Sequence, residues 1–269
     1  MNAQRIVFIG GGNMASALIG GLLKSGRSAT SIGVVEPFET PRKVLHQKFG
    51  IAAQARADAT LARADLVVWA VKPQLFADAA APCAAHVAGA LHLSVMAGIR
   101  SDALVRATGS ERVVRAMPNT PALIGQGIAG LFARAAVDDA ERAAVEQVLA
   151  PTGALLWVAH ETDLDAVTAL SGSGPAYVFY FLEALMQAAV DMGLSEAHGR
   201  TLALSTFAGA TALAAQSDEA VVVLRERVTS KGGTTHAALT SLEGDGVKAA
   251  IVKALRAAQQ RARELGDQY

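Results

Sequence analysis

The sequence predicts an α/β chain in two parts: a doubly wound sheet over residues 1–161, then an all-helical domain over residues 162–269. Three observations carry this. Short apolar runs alternate with helical stretches through the first half, the pattern of a parallel sheet covered by helices on both faces. From about Glu161 no convincing strand remains and five helical stretches follow. A length of 269 residues with 52% hydrophobic content is enough for about two buried cores.

Arg5–Ile9 is expected as the first strand, Met14–Ser25 as the helix after it and Ser31–Val35 as the second strand. Pro41–Phe49 reads as a helix opened by its proline, where the missing N–H costs nothing. Leu66–Val71, Leu91–Val95 and Arg112–Met117 are further strands, then Asp138–Leu149 an amphipathic helix and Ala154–Val158 a last strand. Ala79–Ile99 lacks charge and is long enough to span a bilayer. Pro82, His86, Gly89, His92 and Gly98 nevertheless divide it into helix, turn and strand. The helices of the second half are expected at Tyr177–Met192, Arg200–Gln216, Ala220–Val228, Thr235–Leu242 and Val247–Leu265.

Between Arg200 and Asp218 there is no charged residue, and Leu202, Leu204, Phe207, Ala210 and Leu213 point in every direction. A helix apolar all round is normally buried all round. Five helices can hardly enclose one of their own, so a second copy of the chain is expected to cover it, making an obligate homodimer through the helical domain. A fully internal helix is the competing reading.

Lys and Arg (24) balance Asp and Glu (24), so no overall field attracts nucleic acid or an anionic membrane. Cys83 is the only cysteine, which excludes an intrachain disulfide and a cysteine-based metal cluster. His46, His86, His92, His160 and His198 lack ligand spacing, so no metal is expected. The apolar run Ile6–Ile9 stops at Gly10, too soon for a signal-peptide core, and a cytoplasmic location is expected.

Gly10-Gly11-Gly12-Asn13-Met14-Ala15 fits G-x-G-x-x-A directly after a strand and at the opening of a helix, the context that a dinucleotide fingerprint requires. Gly10 allows the tight turn, Gly12 lets backbone approach a pyrophosphate, and Ala15 permits close helix–strand packing. The helix start, at Asn13 and Met14, offers N–H donors to the phosphates. The first half is therefore expected to be a Rossmann-type domain binding NADP(H) or NAD(H). Glu36 ends the second strand 26 positions after Gly10, where a carboxylate suits a ribose diol and repels a 2′-phosphate. Arg42 and Lys43 are close enough in sequence to receive a 2′-phosphate instead. Ala70, Val71, Lys72 and Pro73 lie at one strand exit, Ala97 and Gly98 at the next, and Asn119 between the prolines of a third. Open α/β sheets bind ligands along that edge, so these residues complete the cofactor set.

Two small-residue segments precede helices in the second half, Leu170–Ala176 and Ser230-Lys231-Gly232-Gly233-Thr234-Thr235. The double glycine exposes backbone N–H groups among three hydroxyls, and Lys231 adds positive charge: a carboxylate cradle. Plain N-capping is the alternative.

With these residues in view, the chain resembles pyrroline-5-carboxylate reductase. Gly10–Ala15, Ala70–Gln74, Arg115–Pro121, Ser171–Tyr177 and Val228–Leu239 carry the resemblance in this order, and VTSKGGTTHAAL is close to that family's signature. It implies a Rossmann domain, a helical dimerisation domain and the last, NAD(P)H-dependent step of proline biosynthesis. It implies too that Ser230–Thr235 grip the carboxylate of a cyclic imino acid, that Thr235 lies near the ring nitrogen, and that the active site lies in a cleft between domains with subunit pairing helping to build it. Dimers or decamers and a preference for NADPH are common in the family. A β-hydroxyacid dehydrogenase shares the layout but needs a lysine on the helix after Gly174, and no lysine occurs between Lys72 and Lys231. A cofactor-binding sensor without turnover would keep the fingerprint but have no need of the cradle.

Overall fold

The computed structural model describes residues 4–268. Seven strands form one sheet: β1 (Ile6–Ile9), β2 (Ile32–Val35), β3 (Leu66–Trp69), β4 (Leu91–Ser94), β5 (Val113–Met117), β6 (Gly127–Ala133) and β7 (Gly153–Trp157). Their spatial order is β2-β1-β3-β4-β5-β6-β7. The helices of the first half are α1 (Asn13–Lys24), α2 (Glu39–Phe49), α3 (Phe76–Ala80), α4 (Ala84–Val87), α5 (Ser101–Thr108), α6 (Asp139–Leu149) and α7 (Asp163–Val167). The second half holds α8 (Gly174–Asp191), α9 (Glu196–Gln216), α10 (Val221–Arg227), α11 (Thr234–Gly244) and α12 (Val247–Gly266).

The expected doubly wound sheet is present, and its strands are buried on both faces. Ile6, Phe8, Leu66, Val68, Leu91 and Leu93 pack under Leu18, Ile19 and Leu22 of α1, Leu45 of α2 and Val145 of α6. The alternate residues Val7, Ile9, Val67 and Trp69 pack on the other face with Phe76, Val87 and Leu104. Two-sided burial is why β1 and β3 read as continuous apolar runs.

Three details depart from the sequence reading. β6 is absent from it, and because β6 runs antiparallel to β5 the sheet is mixed rather than purely parallel. Its residues hide it: Gly127 and Gly130 have low strand propensity. Gly130 is there for packing, since a Cβ on it would stand 2.7 Å from Val167 Cγ1 on α7. Next, α2 starts at Glu39, so Pro41 is third in the helix, still within the turn whose N–H groups lack acceptors. Finally, the helix expected from Tyr177 begins at Gly174, and Thr168–Gly172 before it form a π-helical turn between α7 and α8.

The chain separates into two compact units. The first runs to Gly174 and takes back the chain from Ala258 onward; the second is Pro175–Ala257. Within the first unit, ion pairs fasten α7 and the residues before it to the sheet edge. Arg100 forms a two-pronged bond to Asp165 at 3.0 and 2.9 Å. Glu161 accepts from Arg115 Nη1 at 2.8 Å and from the backbone N–H and hydroxyl of Ser101, both at 2.6 Å. Burial pulls the Arg115 guanidinium below its ordinary pKa, and the Glu161 carboxylate beside it opposes that shift. In the second unit α9 leaves Leu202 and Leu213 more than half exposed on a single chain.

Candidate active site

β1 and β3 are adjacent, but the chain leaves β1 toward β2 on one side and continues through β4 on the other. Their carboxyl ends therefore open a crevice at the point where the winding reverses, the usual ligand position in such sheets. Gly10 follows β1 with φ 99°, and a Cβ there would fall 2.6 Å from the Ala70 carbonyl oxygen, so glycine is required. Gly12, by contrast, has no atom within 4 Å of where a Cβ would be. It is the N-cap of α1 and supplies no side-chain cap, so the N–H groups of Asn13, Met14 and Ala15 are left for an outside acceptor. Ala15 itself is fully buried, the packing role expected of it.

A cleft of about 830 Å³ lies here. It brings together Gly10, Gly12, Glu36, Ala70, Val71 and Lys72 of the expected cofactor set, within apolar walls that include Ile9, Val35, Phe38 and Leu75. Such a volume is in the range of small-molecule and cofactor sites. Open backbone donors beside a bare glycine fit a dinucleotide pyrophosphate. Lys72 has ψ 140°, the extended backbone that Pro73 imposes on it. Pro73 lines a shallower neighbouring groove.

Glu36 lines the cleft at the end of β2. It is 5% exposed. One carboxylate oxygen accepts from Gly11 N–H at 2.8 Å and the other from Phe38 N–H at 2.9 Å. It ties the glycine turn to the end of β2. Arg42 donates to the Glu36 and Pro37 carbonyls at 2.9 and 2.6 Å, and Lys43 pairs with Glu39 at 2.7 Å. Arg56 also lines the cleft, and sequence reading missed it. The one signal for it is structural: Gln54 forms a bridge to Val35 and so carries the next residues along the open edge of β2.

Ala97, Gly98 and Asn119 are not among the residues lining this cleft. Gly98 has φ 74°, and a Cβ on it would meet Leu265 of α12 at 3.4 Å. The Asn119 side chain accepts from Ile128 N–H at 3.0 Å and donates to the Ser171 carbonyl at 3.2 Å, joining the start of β6 to the π-helical turn. A Cβ on Gly172 in that turn would lie 2.6 Å from Met117 Cε.

In the second unit, Ser230–Thr235 form a tight turn into α11. Gly233 N–H bonds the Ser230 carbonyl at 3.0 Å, Gly232 has φ 74°, and a Cβ on Gly233 would lie 2.5 Å from Ser230 Oγ. The N-cap of α11 is Gly233, again without a side-chain cap. Capping therefore does not explain the serine and threonines. The first helical bond runs from Ala237 N–H to the Gly233 carbonyl, which leaves the N–H groups of Thr234, Thr235 and His236 without helical acceptors. Ser230, Lys231 and Thr234 are exposed and Thr235 is half-buried. N–H groups of this kind could receive an anion, with the hydroxyls beside them.

Residues 161–265 match the family described as pyrroline-5-carboxylate reductase dimerisation. A pyrroline-5-carboxylate reductase of Pseudomonas aeruginosa is 43% identical, over 100% of this chain and 99% of that one. The chain belongs to the pyrroline-5-carboxylate reductase family. The Haemophilus influenzae reductase is 40% identical over 98% of both chains. Residues 5–98 match a family described as NADP oxidoreductase, coenzyme F420-dependent. Among solved structures, the pyrroline-5-carboxylate reductase of Coxiella burnetii superposes with a TM-score of 0.91 at 35% identity, covering 98% of this chain and 99% of that one. The Plasmodium falciparum pyrroline carboxylate reductase with NADP bound gives 0.88 at 28% identity, covering 99% of each. As a reductase of this family the chain has the two expected halves: a mixed α/β sheet with the fingerprint crevice, and helices matching the dimerisation family. Among the described residues no three His, Cys, Asp or Glu side chains are grouped as a metal site, and no helix is long and apolar enough to cross a membrane.

Proposed function

We propose that this chain reduces 1-pyrroline-5-carboxylate to L-proline, the closing step of proline biosynthesis, using NADPH or NADH. The observation that carries the reading is the start of α11 behind a double glycine, which has no side-chain cap and whose first N–H groups have no helical acceptor. Substrate carboxylate would accept from Thr234 and Thr235 N–H, with Lys231 adding charge. Gly10, Gly12 and the first residues of α1 would hold the pyrophosphate, and Ala70–Lys72 would border the dinucleotide. A bound nicotinamide supplies the hydride that goes to the imine carbon. The ring nitrogen must gain a proton, and a protonated imine is already electrophilic, so no strong general acid is required. The Thr235 hydroxyl would orient that nitrogen or relay a proton to it from water. Holding the ring in place is the main contribution of the protein.

In this reading the chain works as a homodimer or larger homo-oligomer, its exposed α9 leucines covered by a second copy. We place it in the cytoplasm, which suits a chain whose single cysteine, Cys83, is buried and has no second thiol to oxidise with. The test is oxidation of NADPH and NADH with and without pyrroline-5-carboxylate. Substrate-dependent oxidation that yields proline is expected. Saturable cofactor binding with no substrate-dependent oxidation would leave a nucleotide-binding protein and remove the reductase reading.

A further inference from the structure

We propose that Arg56 grips the 2′-phosphate of the cofactor and so sets a preference for NADP(H) over NAD(H). This rests on the reading that the cleft holds a nicotinamide dinucleotide. Its basis is the segment that carries Arg56. Gln54 pairs with β2 from outside the sheet: its N–H donates to Val34 O and its carbonyl accepts from Glu36 N–H, both at 2.8 Å. Two residues later, Arg56 stands on the cleft wall with its chain neighbours Ala55 and Ala57, as do Glu36, Pro37 and Phe38 from the end of β2. In a sheet of order β2-β1-β3, that end lies on the adenosine-ribose side of a dinucleotide. Lys72, the other cation of the cleft, leaves β3 on the opposite side of β1.

The alternatives are engaged elsewhere. Arg42 is held by two backbone carbonyls, and Lys43 by Glu39. Glu36, the group that would repel a 2′-phosphate, is buried with both oxygens accepting N–H donors. Asp58, the nearest acid in sequence to Arg56, is turned to Thr60 and Gln54. Arg56 itself is exposed and makes no ion pair or hydrogen bond with the described residues. A free guanidinium at the mouth of a nucleotide cleft has the planar fork that phosphate takes in two-pronged fashion.

The test is calorimetric titration of the full-length protein with 2′,5′-ADP and with ADP, which needs no turnover and no imine. The wild type should bind 2′,5′-ADP about tenfold or more tighter, the scale of one charge-assisted contact. Arg56→Ala should remove most of that margin and leave ADP binding unchanged, which also certifies that the cleft is folded. Arg56→Lys should recover part of it, and Arg42→Ala should keep it. Added salt should narrow the margin in the wild type but not in Arg56→Ala. Equal binding of the two ligands by the wild type overturns the proposal. So does an undiminished margin in Arg56→Ala, or a matching loss of both ligands in that variant. Failure of the reductase assay would leave these titrations intact, and a wild type indifferent to the 2′-phosphate yet active on pyrroline-5-carboxylate would remove Arg56 alone.

Discussion

Thr235 sits in the first turn of α11, half-buried, with no hydrogen bond from its hydroxyl to the described residues. A hydroxyl without an internal partner adds little to folding, so Thr235→Ala should cut turnover about tenfold or more while the melting temperature holds, and Thr235→Ser should restore much of the rate. Unchanged turnover in the alanine variant would take Thr235 out of the chemistry. His92 makes the contrary case, a buried polar residue whose work is structural. Its Nδ1 accepts from Trp69 Nε1 at 3.1 Å, which leaves the proton on Nε2 to donate to the Val87 carbonyl, also 3.1 Å away. Burial, aided by Arg112 and opposed by the Val87 bond, pulls its pKa down from 6.5 to about 4. The unfolded chain therefore takes up a proton near pH 6.5 that the folded one refuses until about pH 4. Stability present above pH 6.5 is lost as pH falls through this window, by about 3 kcal/mol in all. Denaturant midpoints measured between pH 7 and pH 4 should fall less steeply in His92→Gln than in the wild type; parallel curves would show that His92 is not responsible.

β6 and α7 meet where Gly130 leaves room for Val167. Gly130→Val should force that contact apart and destabilise the first unit by roughly 1–3 kcal/mol, the usual cost of overpacking. Thermal unfolding would measure it, and an unshifted midpoint would mean that α7 yields freely. The Glu161 and Asp165 ion pairs argue that it does not, because displacing α7 leaves charges of the sheet edge unpartnered. This junction also marks where sequence reading stopped. β1 to β3 were legible as short, mainly apolar runs, and β4 and β5 as mainly apolar stretches in spite of His92 and Arg115. β6 was not, since Gly127-Ile128-Ala129-Gly130 was selected for close approach rather than strand propensity. The fingerprint turn and the double-glycine turn before α11 could be seen because backbone geometry demands glycine at Gly10 and Gly232, both at positive φ. The burial of Glu36 and the place of Arg56 could not, as the first depends on N–H donors from Gly11 and Phe38 and the second on a bridge between Gln54 and Val35, neither of which any periodicity announces.

Taken whole, the chain exposes more apolar surface on α8 and α9 than one copy can hide: Phe179, Tyr180, Leu202 and Leu213 are each more than half exposed. Leu202 and Leu213 are three helical turns apart and share one stripe of α9. Replacing both with glutamate should turn the assembly into monomers of undiminished helicity, read by light scattering and circular dichroism. An oligomer that survives would put the contact elsewhere. A different consequence follows from the last turns of α12, which belong to the first unit and rest on the loop after β4, with Leu265 on Gly98 and Gly266 against the Arg100 guanidinium. On the ribosome, the nucleotide-binding half must wait for the 83 residues of the second unit, Pro175–Ala257, to emerge before this patch is covered. Until then the nascent sheet carries an unfinished flank, and a chaperone or a premature stop late in the message would act on the cofactor half as directly as on the helices that follow it.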